Sequence, residues 1–282
     1  MMLLMTVLTL LLAWFGSAAV ALVILRRGLQ AAASVFLVVL LLAATWAYTG
    51  NIVPLSTLLC TSALAVALRT TRSWPIVITL APLVIIAWGA ALLVFASDYV
   101  AQLLVYAEQG LDIFKQQLAL ASANGGDEDV AEQLLAQMPP LTVAHLIGNL
   151  AFMQMLLTLM SLLSARWWQA KLYNPGGFQQ EFYQLRLTRG NILLLIAGLV
   201  LFSNIEGYHQ WAWLFAIPMI VVGVALVHAV VALKQLSGHW LFGFYLIFIT
   251  FAPVVPLLMM VVIADSALDF RARIAQANNQ ER

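Results

Sequence analysis

Long apolar runs broken by short polar clusters follow one another from end to end of the chain. A bilayer's hydrocarbon core, about 30 Å thick, takes roughly 20 mostly apolar residues of helix to cross. On that rule the chain divides into spans at 3–25, 31–49, 52–68, 74–97, 142–164, 190–204, 211–233 and 240–264. Backbone N–H and C=O groups cannot stay unpaired in lipid, so each stretch is predicted as helix. The sixth is the shortest, and Pro253 and Pro256 interrupt the last. The predicted fold class is all-α: a polytopic transmembrane helical bundle of about eight spans, one membrane domain over residues 1–282, with an external amphipathic helical hairpin.

That hairpin occupies 98–141. Val100, Leu103, Leu104, Ala107, Leu111, Phe114 and Leu118 recur at helical spacing, while Glu108, Asp112, Lys115 and Gln116 fall on other faces. The pattern breaks at the Asn-Gly-Gly of 124–126. Asp129 followed by Glu132 then reads as a capping box for a second short helix ended by Pro139 and Pro140. The segment carries seven acids against one lysine.

A second polar segment, 165–190, reads ARWWQAKLYNPGGFQQEFYQLRLTRG. Asn174-Pro175-Gly176-Gly177 is a turn signal, because proline presets the first central angle and glycine accepts positive φ at the next. Trp167, Trp168, Tyr173, Phe178, Phe182 and Tyr183 mix there with Arg166, Lys171, Arg186 and Arg189, a composition suited to the lipid headgroup region. A helix, a tight turn and a second helix at the membrane face are predicted.

Composition confines the chain to the membrane. Hydrophobic residues make up 63% and charged residues 9%, against roughly 25% charged in a soluble domain. Trp46, Trp74, Trp167, Trp168, Trp211, Trp213 and Trp240 fall at predicted span ends, where indole prefers the interface. The apolar N-terminus has no basic region before it and is read as a retained first span. Lys and Arg form no basic stripe, which argues against a nucleic-acid partner. Cys60 is the single cysteine, so no internal disulfide or multi-cysteine metal site can form.

Arg26, Arg27, Arg69, Arg72, Arg166, Lys171, Arg186, Arg189 and Lys234 occupy alternate connections, and Lys115 is the one basic residue in the opposite loops. The nine-to-one split makes the first set cytoplasmic, with the N-terminus and 98–141 outside and 165–190 inside. Eight spans also put Arg271, Arg273 and Arg282 outside. A re-entrant break around Pro253 and Pro256 would return the tail to the cytoplasm; eight spans is the preferred reading.

The ARWWQAKLYNPGGFQQEF stretch, the LRRG of residues 25–28 and the ADSALDFRAR of 264–273 resemble the YybS-like family of bacterial membrane proteins, whose function is not known. That family is distantly similar to the substrate-binding S subunits of energy-coupling-factor vitamin transporters. The resemblance implies a bacterial inner-membrane protein with a transport-related fold, and it carries over no catalytic or ligand residue. S subunits usually have six spans and no external acidic hairpin.

Polar groups inside the membrane are costly and are the first candidates for function. His145 and Asn149, spaced i,i+4, share a face near the outer end of span five and could face an outward-opening substrate cavity; an interhelical hydrogen bond is the alternative. His228 in span seven could relay a proton or bond a neighbouring helix. Glu206, in a short external loop with Asn204 and His209, could bind a cation or substrate, or be solvated. Asp269 and Arg273 have the spacing of a helical ion pair. Arg166, Trp167, Trp168, Pro175, Gly176, Gly177, Phe178, Glu181, Phe182 and Arg186 are candidates for contact with headgroups or a partner. Ala13, Ser17 and Ala21 form a stripe of small residues on span one that suits close helix packing, or docking of a partner subunit. The acids at 127–129 lack the spacing of a calcium loop.

No P-loop, HExxH, GxSxG or pair of intramembrane aspartates occurs, and the histidines are too dispersed for zinc, so no enzyme, cofactor or metal is expected. Two functions fit: a subunit that binds or transports a small molecule, drawing any energy from another subunit or an ion gradient, or a membrane scaffold docking partners through 98–141 and 165–190. Membrane lipid is an expected partner of either, and other membrane subunits are expected partners too.

Overall fold

The computed structural model describes residues 2–123, 128–136 and 141–280. The chain opens with α1 (Met2–Leu11), a π-helical turn (Leu12–Gly16) and α2 (Ser17–Arg27), which together make the first long apolar rod. Gly28, at φ 91°, turns the chain into α3 (Leu29–Tyr48), a conformation that costs glycine little. Helices α4 (Val53–Thr71) and α5 (Trp74–Phe95) both begin with proline in the first turn, where a missing N–H costs nothing. Helix α5 stops at Ala96. Helix α6 (Ser97–Ala123) and the short α7 (Glu128–Ala136) follow in mutual contact.

Among the apolar residues that recur at helical spacing on α6, Val100 is buried, Leu103, Leu104, Ala107, Leu111 and Leu118 are half-buried, and Phe114 is exposed. The turn at 124–126, Asp127 and the prolines 139 and 140 lie outside the described residues. Helix α7 begins at Glu128, so Asp129 stands inside the helix and not at its cap.

Helix α8 (Val143–Tyr173) is capped by Thr142, whose hydroxyl accepts from the His145 N–H. It runs well past the predicted end of span five, so residues 165–173 are not a separate surface helix but its last turns. After the turn at Asn174–Gly176, with Gly176 at φ 85°, come α9 (Gly177–Gln184) and an extended stretch to Thr188, which caps α10 (Arg189–Asn204). Helices α9 and α10 meet at 71°. Helix α11 (His209–Leu233) returns against α10, and Gly198 lets the Phe215 ring lie where any Cβ would stand.

Among the described residues, six helices are long and apolar enough to cross a membrane, or seven if the bent pair α9 and α10 makes one span. The predicted eighth span is not one helix. It breaks at Phe251–Pro253 into α12 (His239–Thr250) and α13 (Val254–Leu268), followed by α14 (Phe270–Gln280).

Both ends of this pair lie at the same end of α11. Tyr245 of α12 reaches His228, Leu258 of α13 packs over Gly223, and Phe270 joins Val227 and Val231 in lining one cavity with His239. Gly223 lies about 15 Å along the helix axis from the end of α11 at Leu233. The pair is therefore a helical hairpin whose two ends lie at one end of the bundle. Pro253 supplies no N–H, while the amides of Phe251, Val254 and Val255 all find carbonyls, which lets the chain reverse at that depth.

Helices α2, α4 and α8 form the centre, with α5 and α11 packed beside α8. Ala13, Ser17 and Ala21 are buried, and the α2 portion of this stripe packs against α4 and α8 of the same chain. Without water to drive apolar faces together inside lipid, such close approach and occasional polar contacts hold helices in place. Gln154 is one such contact: its amide donates to Thr57 Oγ1 at 3.3 Å and Thr158 Oγ1 at 3.1 Å.

Candidate functional site

His145 and Asn149, predicted to share a face, do not line one recess among those described. His145 is buried with Nδ1 2.8 Å from Thr142 Oγ1 in the cap of its own helix. Asn149 is exposed beside Phe152, Gln210 and Trp213 in a recess of about 250 Å³ that His145 does not line. The indole of Trp211 explains the separation. It donates to Ala144 O at 3.1 Å and presses on Gly148, filling the space a ligand would need. Glu206 is exposed in the turn between α10 and α11, and its neighbours Asn204 and His209 bond to local carbonyls. No group of three metal-ligating side chains occurs among the described residues.

The chemistry gathers at the opposite end, where the connections rich in Lys and Arg meet. Arg69, near the end of α4, donates to Leu25 O at 2.7 Å in the last turn of α2. Glycine at position 28 leaves that space, since a Cβ there would stand 3.3 Å from Arg69 Nε. The Arg26 guanidinium lies 3.7 Å from the centroid of the Tyr173 ring and donates to its hydroxyl. Arg166 makes a two-pronged pair with Glu181, its Nε 2.9 Å from Oε2. The buried Trp74 donates its indole N–H to the same Oε2 at 3.1 Å. Partial burial raises the Glu181 pKa, but the hydrogen bonds from Arg166 and Trp74 and the charge of Arg166 outweigh it and hold the carboxyl below its ordinary 4.5.

Helix α9 is thereby pinned to α8 and α5, with a recess on either side. The first, about 500 Å³, is lined by Arg69, Arg72, Trp74, Arg166 and Glu181 together with Leu25 and Leu68. Three arginines face one carboxylate there. Arg72 closes α4 in a left-handed conformation at φ 52°, and neither it nor Arg69 has an acidic partner among the described residues.

The second recess, about 480 Å³, brings together Trp167, Gly176, Phe178 and Phe182 with His228. His228 Nε2 lies 2.8 Å from the Tyr245 hydroxyl, and Phe182 meets the imidazole edge-on. Trp168 instead stacks on Phe15, Pro175 is exposed, and Gly177 sits under the Asn174 side chain.

Arg186 is engaged within the chain. Its guanidinium bonds Asp269 and donates to the carbonyls of Asp265 at 2.8 Å and Ser266 at 3.1 Å. Asp265 is buried, accepts from Arg271 at 3.2 Å and from the Phe270 amide at 2.9 Å, and Arg271 reaches Leu185 O at 2.9 Å. The predicted Asp269–Arg273 pair does not form. Asp269, at φ 50°, is the break between α13 and α14, and its carboxylate caps Ala272 and pairs with Arg186.

Segments 25–28, 165–182 and 264–273 therefore lie at one end of the bundle. Sequence reasoning missed Trp74, Arg69 and Arg72 as site residues; the positions of Arg69 and Arg72 in one basic connection were the available signal. Comparison with protein-family models, with curated proteins and with solved structures gives no match.

Proposed function

We propose that the protein is a non-enzymatic binding subunit of the bacterial inner membrane that takes an anionic small molecule into the arginine-walled recess at the cytoplasmic end. The observation that carries this reading is the charge imbalance. Arg69, Arg72 and Arg166 surround a space of about 500 Å³ holding one acid, Glu181, within the usual range of about 300–1,000 Å³ for small-molecule sites. Guanidinium groups present paired donors matched to phosphate or carboxylate oxygens, and Trp74 adds an apolar wall. The cytoplasmic assignment rests on the preference of Lys and Arg for that side. With no ATP-binding motif in the sequence, any coupled transport draws its energy from a second subunit or an ion gradient.

The test is purification in detergent without added ligand, followed by native mass spectrometry and identification of whatever small molecule is retained. A phosphorylated or carboxylated compound is expected in the wild type. Its occupancy should drop at least tenfold in the double variant Arg69→Gln, Arg72→Gln, whose side chains are exposed. A ligand-free chain, or one held by another protein through 165–190, overturns the proposal in favour of a membrane scaffold.

A further inference from the structure

A larger cavity lies outside the recesses around α9. Between the end of α11, the α12–α13 pair and α14 is a crevice of about 800 Å³. Its walls are apolar, with Val230, Gly243, Phe244 and Val261 among them, and it carries two basic side chains, His239 and Arg273. Helix α12 has no buried residue, so the crevice is walled on one side by a helix only lightly packed on the rest. A Cβ at Gly243 would meet nothing within 4 Å.

Arg273 is the second observation. The acid that sequence spacing offers it, Asp269, is held by Arg186, and the nearby Asp265 by Arg271 and Arg186. The exposed guanidinium of Arg273 has no ion-pair partner among the described residues, and it stands on the wall of an apolar crevice at the end of the bundle where Lys and Arg collect. An apolar crevice with an unpaired cation on its wall is complementary to one amphiphile: an acyl chain bearing an anionic headgroup.

We infer that this crevice is a binding site for an anionic phospholipid, with an acyl chain between α11 and α12 and the headgroup phosphate on Arg273 beside His239. Arginine suits this role because its planar fork binds two phosphate oxygens at once. The occupant enters sideways from the bilayer and is distinct from the soluble anion of the arginine-walled recess.

The test uses full-length protein in detergent, titrated with phosphatidylglycerol or phosphatidylcholine of the same chains and read by native mass spectrometry. The wild type should retain one phosphatidylglycerol in preference to phosphatidylcholine. Arg273→Gln, an exposed change, should cut that preference by about fivefold, the ratio expected for one basic residue near an anionic surface. Gly243→Trp, which adds a side chain to open space, should abolish retention of either lipid at this site. Equal retention of the two lipids by the wild type overturns the assignment, as does undiminished phosphatidylglycerol on Gly243→Trp, or a protein or second copy of the chain in the lipid's place. Arg69→Gln with Arg72→Gln should leave lipid retention unchanged, so this result stands or falls apart from the anion site.

Discussion

Arg186, in the extended stretch after α9, donates to the main-chain carbonyl of Asp265 at 2.8 Å across a sequence separation of 79 residues. That contact fixes where the last apolar segment ends. Because Asp265, in the last turn of α13, lies beside the 165–190 segment, the α12–α13 pair delivers α14 to the end from which it started. Single cysteines at Gln179 and Ala272, both exposed, should react with a membrane-impermeant maleimide from the same face of oriented vesicles. Labelling from opposite faces would restore eight crossings.

The same network should hold the C-terminal helix. Asp265 and Arg271 side chains are 2% and 11% exposed and Arg186 31%. Removing one partner of a buried ion pair leaves the others uncompensated, at a cost of about 3–5 kcal/mol; access of Arg186 to water puts Asp265→Ala at about 3 kcal/mol. The expected outcome is a lower unfolding temperature in detergent and protease cleavage within 270–280, with Arg273→Ala unchanged on both measures. An Asp265→Ala protein as stable and as resistant as wild type would show that α14 is held by packing alone.

Glu181 gives the anchoring of α9 a pH dependence. Its folded-state pKa lies below the ordinary 4.5, so the folded form favours the carboxylate. The stabilisation is fully present above about pH 4.5 and is lost as the pH falls through the lower folded value. Acidification through that range should loosen α9 and change the tryptophan emission difference between wild type and Trp74→Phe. Glu181→Gln should remove the transition, and a transition that persists in that variant belongs to another group.

Gln154 and Gly198 separate packing from function. Gln154→Leu loses hydrogen bonds to Thr57 and Thr158, worth about 0.6–1.7 kcal/mol inside a membrane, and should keep any bound anion. Gly198→Leu drives a side chain into Phe215, whose ring atoms lie 2.3 Å from the added Cβ, and should cost about 1–3 kcal/mol. Thermal unfolding and ligand retention, measured together, check both. Loss of the anion in Gln154→Leu at normal stability would move the site into the bundle centre.

Much of this architecture is written along the chain, because a bilayer imposes one-dimensional rules. A crossing helix must be about twenty residues long and apolar, its backbone must bond within itself, and proline and glycine punctuate where they can. The limits of α3, α4, α5 and α11 and the turn at Gly176 follow from those rules and match the structure within a few residues. The rules are silent on neighbours. That His145 is tied to Thr142 and walled off by Trp211, that Glu181 meets both Arg166 and Trp74, and that Arg186 takes the carboxylate that i,i+4 spacing offers to Arg273 are set by which helices touch. Pro253 marked a possible break in the last apolar run, yet either a kinked crossing or a reversal satisfies its missing N–H. The ion pairs between Arg186, Asp265, Asp269 and Arg271 decide for reversal, because charges at a bundle's end are stabilised where opposite charges already lie, and that position exists only once the helices have packed.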